Sequence, residues 1–411
     1  MQPLTLATMI AHEDSFLEQI LKFDDQGQTS SQSSSEGIPY VTNAFWTARQ
    51  RQAHSLHEIS YRACFKPQLP EFFIARLTQP GDTVYDPFMG RGTTPLQAAL
   101  MGRCAVGNDI NPLSILLTRP RLRPPTLEAV AQRLQQVDWQ CGEIENEELL
   151  VFYSPQTLRH IYALRQWLLA RAPIDRVVDP VDDWIRMVAI NRLTGHSSGF
   201  FSVYTLPPNQ AVSIASQRKI NAKRNQTPVD RDIQKIILKK TRSLLRDAAI
   251  VNAAVGQPYS CLTTGPAERN AQLRAASVQL VITSPPFLDI VQYADDNWLR
   301  NWFSGIDTQS LAIAHHRHAS DWQHMVAATL QELTRVVAVG GHIAFEVGEV
   351  RHGQVLLEQQ VWAAAEGLPL ERIAVMINQQ TFSKTANCWG VDNNTQGTNS
   401  NRIVILRRIA D

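Results

Sequence analysis

Val281-Ile282-Thr283-Ser284-Pro285-Pro286-Phe287 sets a hydroxyl and two prolines directly after an apolar run. A serine hydroxyl accepts hydrogen bonds, and prolines leave a turn stiff, short of N–H donors and rich in carbonyl acceptors. Such a turn suits the methylation of an aromatic amine. The amine lone pair is spread into the ring, so the nitrogen is a poor nucleophile. Two acceptors on its N–H groups would localise that pair. Ser284 Oγ is one candidate, and a main-chain carbonyl at Ser284–Pro285 is the other. Dipoles fixed in advance lower a barrier without reorganising. Phe287 offers a ring on which a base rotated out of a duplex could stack. In isolation the same stretch also reads as a strand followed by a proline-rich surface turn.

A second stretch, Asp86-Pro-Phe-Met-Gly-Arg-Gly-Thr-Thr94, follows the β-prone Thr83-Val84-Tyr85 and opens a helix. Ligands of open α/β sheets bind at the carboxyl edge of the strands. Gly90 and Gly92 would let the backbone approach a ligand closely, with free helix N–H groups behind them. Asp109, ending the next apolar run, is placed to accept from a ribose diol. A nicotinamide site would want a third glycine where Pro95 stands, and a P-loop would need Gly-Lys-Ser or Gly-Lys-Thr, which is absent. An ordinary strand-to-helix turn remains an alternative.

The elements that must position these residues follow from periodicity. Thr83–Tyr85, a helix from Thr94 to Met101 closed by Gly102, and the run from Cys104 to Asp109 form a βαβ unit with a parallel sheet. Strand signals return at Leu280–Thr283, Gly341–Val347 and Arg402–Leu406, with a helix over Trp322–Val337. Between them, helical stretches run over Leu127–Val137, Pro155–Leu169 and Asp183–Leu193. The expected organisation is an N-terminal helix and flexible linker (1–38), a cofactor-binding half (39–119), a helical insertion (120–260) and a catalytic half (261–411). The linker assignment rests on Asp24–Gly37, whose Gln-Thr-Ser-Ser-Gln-Ser-Ser-Ser lacks apolar anchors.

The 411 residues are 44% hydrophobic with a formal net charge of +1, so bulk charge does not announce a nucleic-acid binder. The charge is local instead. Residues 218–246 hold ten basic side chains, among them Arg218, Lys219, Lys223, Arg224, Lys239 and Lys240, against Asp230 and Asp232 alone. That excess fits phosphate contacts, which give affinity without sequence information. The preceding His196-Ser-Ser-Gly-Phe-Phe-Ser, with Asn209 and Gln210, offers base-edge donors, acceptors and aromatic wedges. A solvated helix with a basic face is the competing reading. The five cysteines have no metal-ligand spacing and fit a reducing cytoplasm. His315-His316-Arg317-His318 lacks a carboxylate or cysteine partner and reads as a surface or DNA-facing cluster rather than a metal site. Trp298 and Trp302 read as core. No opening signal peptide and no apolar run long enough to span a bilayer are expected.

The two loops together resemble the S-adenosylmethionine-dependent DNA amino-methyltransferase family. Asp-Pro-Phe-x-Gly-x-Gly-Thr-Thr looks like its cofactor motif, Gly107-Asn-Asp-Ile-Asn-Pro112 like the acidic loop that follows, and Thr-Ser-Pro-Pro-Phe like its catalytic motif. Phe65-Lys-Pro-Gln-Leu69 resembles the segment that closes over the cofactor's methionine end, and Gly397–Arg402 resembles family C-termini. The resemblance covers roughly residues 57–118 and 262–408. It implies a Rossmann-like class I methyltransferase sheet with a largely helical insertion. It implies that Lys66, Pro67, Asp86, Phe88, Gly90, Gly92, Thr93, Thr94, Asp109 and Ile110 bind S-adenosylmethionine, and that Ser284, Pro285, Pro286 and Phe287 hold the target base. Serine in the catalytic motif is typical of members acting on cytosine N4 in double-stranded DNA. Adenine N6 and RNA are the rival substrates. Cytosine C5 is disfavoured, because that chemistry usually needs Pro-Cys and no cysteine here follows a proline. Two departures stand out. Pro266 follows Gly265 where an acid is usual, with Glu268 as a substitute, and Phe287 replaces tyrosine. A bacterial cytoplasm, at the nucleoid, is the expected location. No nuclease motif is present, so cleavage would need a separate cognate restriction nuclease.

Overall fold

A computed structural model describes residues 15–25, 27–46, 53–61, 64–173, 179–206, 211–247, 260–286, 296–307, 319–347, 356–379 and 401–410. In chain order the elements are α1 (Phe16–Leu21), β1 (Asp24–Asp25), β2 (Gln28–Thr29), β3 (Ser31–Ser35), β4 (Ile38–Asn43), α2 (Gln68–Leu77), β5 (Thr83–Asp86), α3 (Thr93–Leu100), β6 (Cys104–Asp109) and α4 (Leu113–Leu122). The insertion follows with α5 (Leu127–Leu134), α6 (Pro155–Arg171), α7 (Pro180–Ile190), α8 (Ile214–Arg224) and α9 (Ile233–Leu244). The remainder is β7 (Cys261–Thr264), β8 (Val278–Thr283), α10 (Trp298–Ser304), α11 (Ala319–Val336), β9 (Val337–Val347), α12 (Leu357–Ala364), β10 (Leu370–Asn378) and β11 (Asn401–Arg408).

Near-continuous apolar runs such as Val278–Thr283 mark strands covered on both faces. They assemble into one nine-stranded sheet in the order β3-β4-β10-β11-β9-β8-β5-β6-β7. Strands β5 to β9 run parallel, and β11 runs antiparallel between β9 and β10. Counting from β5, the seven central strands read 3-2-1-4-5-7-6 with the seventh reversed, the class I methyltransferase form of the Rossmann-like sheet. The order turns back between β5 and β8. That switch point opens a crevice at the carboxyl ends of the strands, and both motif loops leave the sheet there.

Helices α1 to α3 cover one face through Phe72, Phe73, Ile74 and Ala98. Helices α11 and α12 cover the other through Trp322, Leu330, Leu333 and Val361. The insertion does not form a core of its own. Trp184, Phe152, Tyr153 and Ile237 share one apolar cluster with Leu56, Leu96, Leu116 and Leu117 of the cofactor half and with Leu299 of α10. Arg119 on α4 grips Asp183 on α7 through two bonds of 2.7 and 2.9 Å. Trp298 and Trp302 are half-buried against the same cluster, in line with their reading as core. Among the described residues no helix is long and apolar enough to cross a membrane.

The expectation of a flexible linker over Asp24–Gly37 is corrected. Ser31–Ser35 pairs antiparallel with Ile38–Asn43, and Glu36 and Gly37, both at positive φ, make the two-residue turn between them. Every β3 side chain is exposed, so pairing rests on the backbone and leaves no apolar signature. Asn43 Nδ2 ties the segment down by donating to the carbonyls of Phe23 and Gln28 at 3.2 and 3.1 Å. The polar β3 also ends the sheet with a strand that discourages further pairing. At the N-terminus the described helix is Phe16–Leu21; residues 1–14 lie outside the described residues.

Gly92 caps α3 in the left-handed region at φ +74°, and a Cβ there would sit 2.1 Å from Thr118 Oγ1 on α4. Gly102, at φ +76°, has open space around it. Gly102→Ala should cost only the left-handed strain, about 1–2 kcal/mol. Gly92→Ala should add an overpacking cost of about 1–3 kcal/mol. Urea unfolding of the two variants separates these effects, and equal losses would show that Gly92 does not set the approach of α4.

Candidate active site

The carboxyl edge of the sheet carries three buried or half-buried carboxylates. Asp86, which ends β5, is 1% exposed. Its Oδ1 accepts from Thr283 Oγ1 at 2.7 Å and from the Phe88 N–H at 3.0 Å. Burial pushes its pKa up to about 7, opposed by these hydrogen bonds. Thr94 Oγ1 donates to the Ile282 carbonyl at 3.1 Å, a second link between the cofactor loop and the catalytic strand. Asp109, which ends β6, accepts the Gly90 N–H at 2.8 Å and the Asn111 N–H at 2.9 Å, and burial raises its pKa. Glu346, near the end of β9, is 6% exposed with a pKa raised by burial.

These groups sort the expected cofactor residues into two kinds. Gly90, at φ +49°, faces open space in which a Cβ would touch only the Tyr61 ring at 3.5 Å. Phe88, Asp109 and Ile110 are half-buried like Gly90. Gly92, Thr93 and Thr94 instead face the protein. Gly92 makes room for Thr118, Thr93 Oγ1 accepts from Arg91 Nε at 3.1 Å, and Thr94 is fully buried against β8. Lys66 and Pro67 line a cavity of about 340 Å³ together with His57 and Arg91. Burial and the Arg91 charge lower the Lys66 pKa.

Carboxylates gathered at this edge suit a ligand that carries positive charge. A carboxylate beside a glycine-walled cradle suits a ribose. The donor set fits a group such as S-adenosylmethionine. The end of β7 approaches the same place. The Gly265 N–H donates to the Asp109 carbonyl at 3.0 Å, and Asn108 Nδ2 donates to the Gly265 carbonyl at 2.9 Å. Glu268 is half-buried two residues past Pro266.

Ser284 follows β8 directly and is half-buried, Pro285 is buried and Pro286 is half-buried. The Pro286 carbonyl already accepts from Trp322 Nε1 at 2.8 Å. Ser284 and Pro285 carry the other two main-chain carbonyls of the turn. Phe287 lies outside the described residues.

The basic stretch divides between solvent and packing. Lys219, Lys223, Arg224 and Lys239 are exposed. Arg224 lies over the Tyr204 ring at 3.7 Å, and Arg218 pairs with Glu148 at 3.6 Å, both side chains in solvent. Lys240 is half-buried, donates to the Glu58 carbonyl at 2.7 Å and is pushed down to about 8 by burial. It faces the protein rather than an open surface. The aromatic wedges expected at Phe200 and Phe201 are corrected. They are 7% and 1% exposed, because Arg192 stacks on Phe200 at 4.0 Å and Phe201 joins the insertion core. Asn209, Gln210 and His315–His318 lie outside the described residues. Sequence reading missed Glu346 and Asn401, whose side chains meet at 2.9 Å. The only signal for them was their place in a late strand and in the segment before the last one.

A family model described as DNA methylase matches residues 13–117. The Type II methyltransferase M.MjaII of Methanocaldococcus jannaschii is 40% identical over 75 residues, which is 18% of this chain and 14% of that protein. The Type II methyltransferase M.BsoBI of Geobacillus stearothermophilus is 38% identical over 69 residues, which is 16% of this chain and 14% of that protein. The matched stretches thus span 14% of the length of each of these relatives. Among solved structures, the rRNA methyltransferase aviRa from Streptomyces viridochromogenes aligns over 89% of this chain and 96% of its own at 12% identity, with a TM-score of 0.36. The likeness to DNA methylases thus lies in residues 13–117, the segment that builds the loop from Asp86 to Thr94.

Proposed function

We propose that this chain transfers a methyl group from S-adenosylmethionine to an exocyclic amine of a base in double-stranded DNA, and that the amine is N4 of cytosine. The observation that carries the reading is the junction at the switch point. Ser284 emerges from β8 next to Asp86, whose carboxylate holds Thr283 at 2.7 Å, so the amine-binding turn and the cofactor cradle share one edge. When bound, the cofactor would supply an electrophilic methyl group on a positively charged sulfur, and the proton that the amine gives up would pass to solvent.

The protein's part is positional. Ser284 Oγ and a carbonyl of Ser284 or Pro285 accept from the two amine N–H groups and turn the nitrogen lone pair toward the methyl. Phe287 stacks on the extruded base, and Pro285 and Pro286 keep the acceptors fixed. Lys66 and Pro67 stand at the methionine end, and Asp109 and Ile110 at the nucleoside end. The hydroxyls of Thr93 and Thr94 shape the loop from behind. Serine in the motif favours cytosine N4 over adenine N6. Residues 120–260 read the target, with the exposed face of α8 on the phosphates. A separate nuclease partner fits a site-specific enzyme of this kind.

Ser284→Ala should lower kcat by about 100- to 1000-fold while leaving S-adenosylhomocysteine affinity unchanged in calorimetry. Parallel loss of affinity would remove Ser284 from the amine site. Nucleoside mass spectrometry of DNA methylated by the wild type should give N4-methylcytosine. N6-methyladenine would keep the mechanism and change the base, and label only in RNA would change the substrate.

Lys219→Gln and Lys223→Gln should weaken DNA binding alike for all sequences. Each should reduce the slope of log K against log salt by about 1. An unchanged slope in a salt titration would remove this face from the DNA surface.

A further inference from the structure

We propose that Arg192, Lys240 and Arg300 form a clamp for one backbone phosphate of the target strand, beside the extruded base. This rests on the reading of the site given above. The three side chains come from different parts of the chain. Arg192 stands two residues past α7, Lys240 lies on α9 and Arg300 on α10. A single strip of main chain, Glu58 to Ser60, gathers them. Lys240 Nζ donates to the Glu58 carbonyl at 2.7 Å, and Arg300 Nη2 donates to the Ser60 carbonyl at 3.1 Å. The Ser60 N–H donates to Asn191 Oδ1 at 3.1 Å, which brings Arg192, the next residue, to the same strip. Tyr61 follows, and a Cβ at Gly90 of the cofactor loop would lie 3.5 Å from its ring. The strip thus ends at the sheet edge where the target base must arrive.

Cations gathered in this way need an anion. Among the described residues none of the three has a carboxylate within ion-pairing distance. The acids that face them are Glu58, already paired with Arg246 at 2.9 Å, and Asp296, which faces Arg300. Arg91, on the Ile59 carbonyl at 2.9 Å, adds another positive charge between them. Burial holds all three below their ordinary pKa values. The Arg300 charge lowers Arg192 further, and the Arg192 charge lowers Lys240. Buried like charges are costly unless paired, and they are typical of sites where a ligand supplies the partner.

Their donors are underused as well. An ammonium has three N–H donors and a guanidinium five. Lys240 spends one, on Glu58. Arg192 spends one, from Nε to the Asn191 carbonyl at 2.7 Å. Arg300 spends two, the second from Nη1 to Asn297 Oδ1 at 2.8 Å. Arg192 and Lys240 are half-buried, so this seam between the insertion and the cofactor half still meets solvent. A phosphate brings the missing charge and several acceptor oxygens, which forked guanidinium donors match.

The test uses the full-length protein with double-stranded DNA. Lys240→Gln should weaken DNA binding about 10- to 100-fold, the scale of losing a hydrogen bond to a charged group. Arg192→Gln should do the same, and Arg192→Lys should lose less. In the double variant Arg192→Gln with Lys240→Gln, the slope of log K against log salt should fall by about 1, because both grip one phosphate; two separate contacts would give about 2. S-adenosylhomocysteine affinity should be unchanged in calorimetry. Lys240→Gln should lower kcat together with DNA affinity, because the clamp holds the strand that carries the base, whereas Lys219→Gln should raise KM alone. Wild-type DNA affinity in both single variants, a slope lowered by about 2, or a loss of S-adenosylhomocysteine affinity in place of DNA affinity would overturn the proposal.

A second readout needs neither cofactor nor DNA. Lys240, facing Glu58, Arg192 and Arg246, is pushed down to about 8, mainly by burial. Its unfolded value is higher, so the unfolded chain binds more protons between the two values and wild-type stability rises with pH across that window. Lys240→Gln should lack this rise, and at neutral pH its Tm should be no lower than that of the wild type. Inorganic phosphate at constant ionic strength should raise the wild-type Tm more than that of Lys240→Gln. An equal response to phosphate would show that the cations only hold the strip. An inactive wild type would instead count against the function proposed above, and the response to phosphate would still decide the clamp.

Discussion

The hydrogen bond from Thr283 to Asp86 is the constraint on which the site depends. Its two residues stand 197 positions apart in the chain and end the two strands that flank the switch point of the sheet. Asp86 is almost wholly buried, so its carboxylate must be satisfied from within the protein. It is satisfied by the Phe88 N–H of its own loop on one side and by Thr283, the residue before Ser284, on the other. Neither loop can shift without breaking a bond to a buried acid. The distance between the two loops is therefore set by the sheet rather than by flexible chain.

Around that junction the structure divides its polar groups by what they face. Gly90, Phe88, Asp109 and Ile110 are half-buried. Gly92, Thr93 and Thr94 look inward, and they shape the loop through Thr118, Arg91 and the Ile282 carbonyl. The same division runs through the insertion. Its helices are fused to the cofactor half by a shared apolar cluster and by the Arg119–Asp183 pair. One set of its basic side chains remains in solvent, while Lys240 and Arg192 are drawn into the packing. The insertion is thereby packed against the half of the chain that carries the loop from Asp86 to Thr94.

Much of this was legible in the residues. Strands β5, β6, β8 and β9 and helices α5, α6, α7 and α11 follow from apolar runs and 3.6-residue periodicity, which are local properties. Each motif loop alone also reads as an ordinary turn; it was their pairing, and its resemblance to a known family, that made them stand out. The β3–β4 hairpin was not legible in its composition, because a serine-rich edge strand pairs through its backbone and buries no side chain. Its Glu36-Gly37 turn was the only local sign.

What the sequence determined by itself was the chemistry available: an acceptor-rich turn, an acid-ended cofactor loop and a basic insertion. What only the tertiary structure decided was which of those groups meet. Glu346 and Asn401 lie 55 residues apart and become neighbours only because β11 inserts antiparallel beside β9. Gly92 and Thr93 differ from Gly90 in role only because α4 and Arg91 pack behind them. Such meetings depend on distances between remote backbone segments, and those are set when the sheet closes its register and buries its two faces, not by the preferences of any short stretch of chain.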